Sequence, residues 1–398
     1  MALLSDCYLP RLGGIEVQVA DLAVHLRAAG HDVEVVTATA AAGWRSGTGL
    51  DDRGTTVHRL ALPLPFGVPV NPLAPPAVRQ LLEEGRFDVA HAHMGVVSPF
   101  ATDLVGVALD LGLPTAVTWH CVIERSAPVL RALGHARRWA GRGAALSAVS
   151  AMAAERVEAL AGVPVSVLGN GIDVGTWARP AGADPSPPRG PSPPPFPPPS
   201  PPPGPHPGAA AGSRPVHVVS ALRLARRKRP LAVLRVLRRT AELVDGRVPL
   251  AATVVGDGPQ RPVLRRYAAR HGMDWVALPG RVSRTDLASL HHGADAYLST
   301  ARLEAFGIAA LEARTAGLPV VARRGTGVED FVTDGVGGLL ADDDEGLALA
   351  LARLVLDAPV RHRLAEHNRT TPPAQAWPEV VAETLAEYHR ALTPGRLP

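Results

Sequence analysis

With 398 residues, 46% of them apolar and 20% charged, the chain is long enough for two domains with separate cores and too apolar for general disorder. Its net charge of +4 is mildly basic, which suits phosphate-bearing ligands or an anionic membrane surface without identifying either, and two cysteines, Cys7 and Cys121, make no disulfide framework, so a reducing cytoplasm is expected. No apolar run approaches the ~20 residues of a membrane helix, and the start of the chain lacks the features of a signal peptide.

In chain order, residues 2–5 are a short apolar strand, and Val19, Leu22, Ala23 and Leu26 repeat at helical spacing until Gly30, before a second strand at 33–37. Strands follow at 88–93, 115–120, 145–150 and 165–169, with helices at 100–111 and 152–160. Residues 180–215 are proline-rich and supply neither sheet hydrogen bonds nor a core. They read as a spacer first and as a PxxP ligand for a partner second. The alternation then restarts, with strands at 217–222, 251–255, 275–278, 296–299 and 319–322 and helices at 231–243, 261–270, 286–292 and 308–316. A last amphipathic helix spans 378–392.

Alternating strands and helices joined by short turns predict an α/β chain of two doubly wound, Rossmann-like domains facing a central cleft. The first covers 1–168, a hinge with the proline-rich insertion covers 169–216, and the second covers 217–377. Ligands of such sheets sit beyond the carboxyl ends of the strands.

Candidate chemistry lies at those ends. Gly13 and Gly14 follow the first strand and open the first helix, where bare backbone and free N–H groups attract an anion, although the full GxGxxG spacing is missing. Lys228 is the sole lysine in a chain that otherwise uses arginine, and with Arg223 it ends the first strand of the second half. A compact ammonium beside a guanidinium suits a diphosphate better than a nucleic-acid patch. Glu304 and Glu312 flank a probable helix start at Gly307, and eight helical residues span ~12 Å, enough for two carboxylates to reach separate hydroxyls of one elongated ligand. His120 ends an apolar strand, where it would position an acceptor or polarise a phosphate oxygen. His91 and His93 share a strand face, but a metal would need a third ligand the sequence does not identify. Asp342, Asp343, Asp344 and Glu345 read as a helix N-terminus rather than a metal cluster. Arg131, Arg137, Arg138 and Arg142, with Leu130, Leu133 and Trp139, read as a solvated helix face before an anionic-membrane contact.

Taken together, these motifs resemble the family 4 glycosyltransferases of the GT-B fold, over nearly the whole chain outside 180–215. The resemblance is carried by the loop from Tyr8 to Glu16, the strand ends at Asp88–His93 and Val117–His120, and Asn170-Gly171-Ile172-Asp173. The Arg223 and Lys228 pair, the Gly256-Asp257-Gly258-Pro259 turn and, most specifically, the EX7E motif from Glu304 to Glu312 complete it. It implies a retaining hexose transfer from a UDP- or GDP-sugar, with no metal required, to a hydroxyl acceptor left open among lipid-linked, phosphoinositol and small-molecule classes. Carried over by resemblance, Glu304 contacts the sugar, Glu312 the ribose, Arg223 and Lys228 the leaving diphosphate, and Gly14 supplies backbone to it. Gly13, Phe306, Gly307, Ile308, Gly256 and Val282 belong to the donor side, and His91, His93 and Asn170 to the acceptor side with His120. The helix at 378–392 resembles the one that crosses back to the first domain. Leu222 stands where the family commonly has a glycine, beside the expected phosphate, and Ser299-Thr300-Ala301 replaces a proline-serine stretch. Two other readings compete: a sugar-nucleotide epimerase on the same fold, and a non-catalytic nucleotide binder that uses its proline-rich segment for a partner.

Overall fold

The computed structural model describes residues 1–11, 13–43, 45–64, 68–124, 126–180 and 214–393. The proline-rich segment therefore lies, except for its ends, outside the described residues. The chain divides into two compact units, Met1–Ile172 with Gln375–Pro398, and Asp173–Ala374. The first division, at residue 172, falls a few residues beyond the boundary read at 168, and the second, at 374, a few residues before the one read at 377.

In the first unit the elements are β1 (Ala2–Ser5), α1 (Gly14–Ala28), β2 (Glu34–Thr37), β3 (Gly47–Leu50), β4 (Thr56–Arg59), α2 (Pro75–Glu84), β5 (Ala90–Met94) and α3 (Pro99–Asp110). They continue with β6 (Thr115–Trp119), α4 (Ala127–Leu133), α5 (His135–Gly141), β7 (Ala145–Ala148), α6 (Ala151–Ala161) and β8 (Ser166–Val167). The sheet runs β3-β4-β2-β1-β5-β6-β7-β8, parallel throughout except for the antiparallel β3–β4 pair. Successive strand residues face opposite sides. Ala2 and Leu4 of β1 enter one core with Phe100, Leu104 and Val157, while Leu3 enters another with Val19, Leu22 and Leu26 of α1 and Trp377 and Tyr388 near the end of the chain. Two cores on two faces are what a doubly wound sheet requires.

The second unit begins with α7 (Val174–Trp177), then β9 (Val216–Ala221), α8 (Pro230–Val244), β10 (Leu250–Val255), α9 (Arg261–Arg270), β11 (Val276–Gly280), α10 (Arg284–His292), β12 (Ala296–Leu298) and α11 (Ile308–Thr315). It ends with β13 (Val320–Arg323), β14 (Gly338–Ala341), α12 (Asp344–Leu356) and α13 (Ala358–Thr370). Its sheet runs β11-β10-β9-β12-β13-β14 and is wholly parallel. The final helix, α14 (Trp377–Leu392), belongs to the first unit and packs on α1, β6 and β7. Trp377 stacks on His25 at 4.6 Å between ring centres.

Each sheet reverses its order once beside its first strand: β1 lies between β2 and β5, and β9 between β10 and β12. Connections on either side of such a reversal leave in opposite directions and open a crevice at the strand ends. Neither β4 nor the buried β14 was read from sequence, and three further elements that were missed have weak local signals. β3 is glycine-rich and fully exposed, and α2 opens with Pro75-Pro76, which reads as a loop although proline is tolerated in a first helical turn. α13 is polar apart from Val360, Leu364 and Ala365. Leu222, which stands beside the expected phosphate, packs its side chain against the core of the second unit. No helix among the described residues is long and apolar enough to cross a membrane.

Asp6, just after β1, illustrates how strand ends are tied to helix starts. Its carboxylate accepts from the Phe100 and Ala101 N–H groups at 3.1 and 3.3 Å, at the first turn of α3. Burial nonetheless raises its pKa from 3.8 to about 6. The folded chain thus holds this proton where the unfolded chain has lost it, so its contribution to stability is complete below the unfolded value and disappears as pH rises through about 6. Relative to Asp6→Asn, the wild type is expected to gain unfolding free energy as pH falls from 6 toward 4, measured by urea denaturation; parallel pH profiles would contradict the assignment.

Candidate functional site

In the second unit the candidate residues gather at the sheet reversal. β9 and β12 are neighbours, paired Ala296↔Val218 and Tyr297↔Val219. Beyond β9 the chain passes through exposed Arg223 into a tight 3-10 turn, Arg226–Lys228. Arg229 follows with φ +55°, and Pro230 starts α8. Beyond β12 the chain reaches Glu304 and then Gly307, whose φ of +100° lets it turn directly into α11. The two connections meet: Lys228 Nζ donates to Glu304 Oε2 at 2.6 Å. Both side chains remain partly solvent-accessible, at 26% and 19%.

Glu312 lies on α11 near the same point, since both it and Glu304 act electrostatically on Tyr297. That buried hydroxyl, donating to the Ala221 carbonyl at 3.1 Å, is pushed well up chiefly by burial, with the two carboxylates adding to the effect. The structure therefore brings Lys228 and Glu304 together at the ends of β9 and β12, with Glu312 in the second turn of the helix that follows. It treats the other donor-side candidates differently. Phe306 is buried, and its ring rests on Phe331 at 5.3 Å between ring centres. Ile308 is half-buried in the first turn of α11, and Val282 lies in the loop between β11 and α10.

Gly256 has a structural partner. At φ +131°, a Cβ there would stand 1.9 Å from the Leu222 carbonyl oxygen, and one at Gly258 would stand 2.7 Å from that of Leu224. Leu224 N–H also donates to the Asp257 carbonyl at 2.9 Å. This glycine turn therefore clamps the segment that carries Arg223.

A second clamp was not read from sequence. Arg229 donates from both terminal nitrogens to the Asp344 carboxylate, at 3.0 and 2.7 Å, and to the Thr300 carbonyl at 3.0 Å. Arg323 donates to Asp344 Oδ1 at 2.8 Å. Despite this burial, the two guanidiniums hold the Asp344 carboxyl below its ordinary value. Asp343 caps α12 by accepting from Gly346 N–H at 2.7 Å, so the acidic run is a helix start. The carboxylate of Asp344 ties the Lys228 turn to the end of β13.

In the first unit Gly13 is the N-cap of α1 and Gly14 its first residue. A Cβ at Gly13 would stand 2.3 Å from Glu16 Oε2, so the carboxylate of the first helical turn folds back over the glycine. On β5, Ala90, Ala92 and Met94 enter one core, which leaves His91 and His93 on the face of α14. His93 Nδ1 lies 3.0 Å from His120 Nε2, and His120 Nδ1 lies 3.2 Å from Asn170 Oδ1. Both ring nitrogens of His120 are thereby occupied, where the sequence expects one to face a ligand. His91 bonds Tyr388 and Thr118, at 3.0 and 2.7 Å. Burial holds His91 at about 3 and His120 at about 4, and His93 well below its usual value, so all three rings are neutral. Among the described residues no group of three or more His, Cys, Asp or Glu side chains is placed to hold a metal ion. Asn170 is held by its neighbour: Gln18 donates to the Gly171 carbonyl and accepts from its N–H, both at 3.0 Å. Trp377 lies against Gly171 where a Cβ would be only 2.4 Å from its ring.

Residues 210–371 match the model described as glycosyl transferases group 1, and residues 12–176 match glycosyltransferase family 4. The chain belongs to the family 4 glycosyltransferases. It is 27% identical to a D-inositol 3-phosphate glycosyltransferase of Pseudarthrobacter chlorophenolicus, over 96% of this chain and 91% of that one. It is 28% identical to a GDP-mannose-dependent alpha-mannosyltransferase of Mycolicibacterium smegmatis, over 98% and 97%. The structure of Anabaena Alr3699/HepE in complex with UDP-glucose superposes with a TM-score of 0.70 at 21% identity, over 97% of this chain and 98% of that one. The fold of this glycosyltransferase is GT-B, and the protein is an enzyme that uses a nucleotide-sugar donor.

Two outcomes follow for the second unit. Lys228→Met and Glu304→Gln should each lower turnover by roughly 10²–10³-fold, the scale for one transition-state contact, and change stability by less than about 1 kcal/mol; full rates in folded variants would remove these residues from the site. Gly256→Ala should destabilise the chain by on the order of 1–3 kcal/mol in thermal unfolding, because its Cβ meets the Leu222 carbonyl in a left-handed backbone.

Proposed function

We propose that this glycosyltransferase is retaining and metal-independent, and moves a hexose from a UDP- or GDP-sugar to a hydroxyl acceptor. The observation that carries the reading is the contact of the sole lysine, Lys228, with the first glutamate of the EX7E motif, Glu304, at the sheet reversal. An ammonium held there by a carboxylate is available to a diphosphate whose charge grows as the bond to the sugar breaks. Arg223, exposed and one turn earlier, adds a second cation, and Glu304 and Glu312 accept from sugar and ribose hydroxyls.

In the proposed chemistry the acceptor oxygen bonds the anomeric carbon on the face from which the phosphate oxygen departs. The departing phosphate oxygen takes the acceptor proton. No carboxylate is asked to be a nucleophile, so the two glutamates serve in binding, unlike the pair of a glycosidase. HepE with UDP-glucose and the mannosyltransferase named for GDP-mannose support keeping both bases in the donor set. The relative named for D-inositol 3-phosphate supports a polyol acceptor alongside lipid-linked ones. For a lipid-linked acceptor, exposed Val129 and Leu133 beside Arg131 are the residues of the first unit suited to peripheral contact with an anionic membrane in the cytoplasm.

Thermal-shift measurements with UDP, GDP and ADP come first, followed by turnover of matching sugar donors with EDTA present. UDP or GDP should raise the melting temperature, turnover should survive chelation, and NMR of the product should show the donor's anomeric configuration. An inverted product, or loss of activity in EDTA restored by a divalent ion, would overturn the corresponding part. Donor converted with no acceptor present would favour epimerisation instead.

A further inference from the structure

The histidines of the first unit form a bonded chain whose proton positions follow from its ends. At one end Asn170 Oδ1, a pure acceptor, faces His120 Nδ1 at 3.2 Å, so that nitrogen carries the hydrogen. The ring is neutral, and its Nε2 is therefore a lone pair, facing His93 Nδ1 at 3.0 Å. His93 must donate from Nδ1. A neutral His93 then has a bare lone pair on Nε2, and this buried atom has no hydrogen-bond partner among the described residues.

His91 does not compete for it. Ser147 donates to the Val117 carbonyl at 3.4 Å and so accepts from the Thr118 hydroxyl at 2.7 Å. Thr118 in turn accepts from His91 Nε2–H, and His91 Nδ1 accepts from the buried Tyr388 hydroxyl. Every nitrogen of His91 is thereby used. The orphaned acceptor belongs to a ring that lines a cavity of about 20 Å³, together with Gln18, Thr118, Asn170, Trp377 and Thr384. That volume admits one water, and an unpaired buried acceptor is costly enough to recruit a donor.

We propose that Asn170 is a positioning residue that fixes His120 in its Nδ1–H tautomer, that His93 follows by donating from Nδ1, and that the cavity beside it holds one water donating to His93 Nε2. His120 then stands at the end of β6 as a neutral ring of fixed orientation, tied on one side to Asn170 and on the other to His93. Its part in transfer rests on the function proposed above, whereas the tautomer does not.

The test separates the two. Long-range ¹H–¹⁵N spectra of the ligand-free full chain, labelled on histidine, should show His120 with Nδ1 protonated. Asn170→Asp keeps an acceptor facing His120 Nδ1 and should retain that signature; Asn170→Leu should lose it, giving a mixture of tautomers. In the transfer assay Asn170→Leu should lower kcat about tenfold or more with little change in donor KM, and Asn170→Asp should recover most of it. A wild-type His120 protonated on Nε2, or an unchanged tautomer in a folded Asn170→Leu, would overturn the proposal, and a dry cavity in a crystal structure would remove its water. If the tautomer behaves as stated but the wild type transfers no sugar, the assigned function fails and the positioning role stands.

Discussion

Lys228 and Glu304 are 76 residues apart, and their 2.6 Å contact exists because β9 and β12 are neighbours in a sheet that reverses order between them. The rest of the second unit supports that meeting. Strand pairing delivers two connections to the same edge, and a sole ammonium then finds a carboxylate. Either charge alone, so near the sheet, would require solvent or another partner.

Rigid backbone keeps the meeting point in place. Gly256 and Gly258 allow one turn to press against the Leu222 and Leu224 carbonyls, and Gly327 N–H donates to the Glu304 carbonyl at 2.9 Å. Arg229 then joins the lysine turn to Asp344 and Thr300 by hydrogen bonds that are charge-assisted at the carboxylate. Several glycines that look like ligand-facing backbone in sequence are here required by other backbone.

The first unit uses a different device. Its strand-end histidines are uncharged, and their order comes from hydrogen bonds to Asn170, Thr118 and Tyr388. Tyr388 comes from α14, 297 residues from His91 along the chain, so the last helix both completes a core and orients an imidazole. Gly171 serves the same docking by admitting the Trp377 ring.

The α/β class, the order of nearly all the buried strands and the EX7E pair were legible in sequence because each rests on local periodicity or fixed spacing. The sole lysine was legible because a compositional bias made it conspicuous. β3, α2 and α13 were not, since glycine, paired prolines and a polar surface mask them until neighbours pair or pack against them. Nor were the partners of His120, the role of Asp344 or the fate of Leu222. By itself the sequence determined which residues carry charge and where strands hand over to helices. Only the tertiary structure decided which of those residues pair, because a hydrogen bond depends on angstroms across the sheet and the sequence records only separation along the chain.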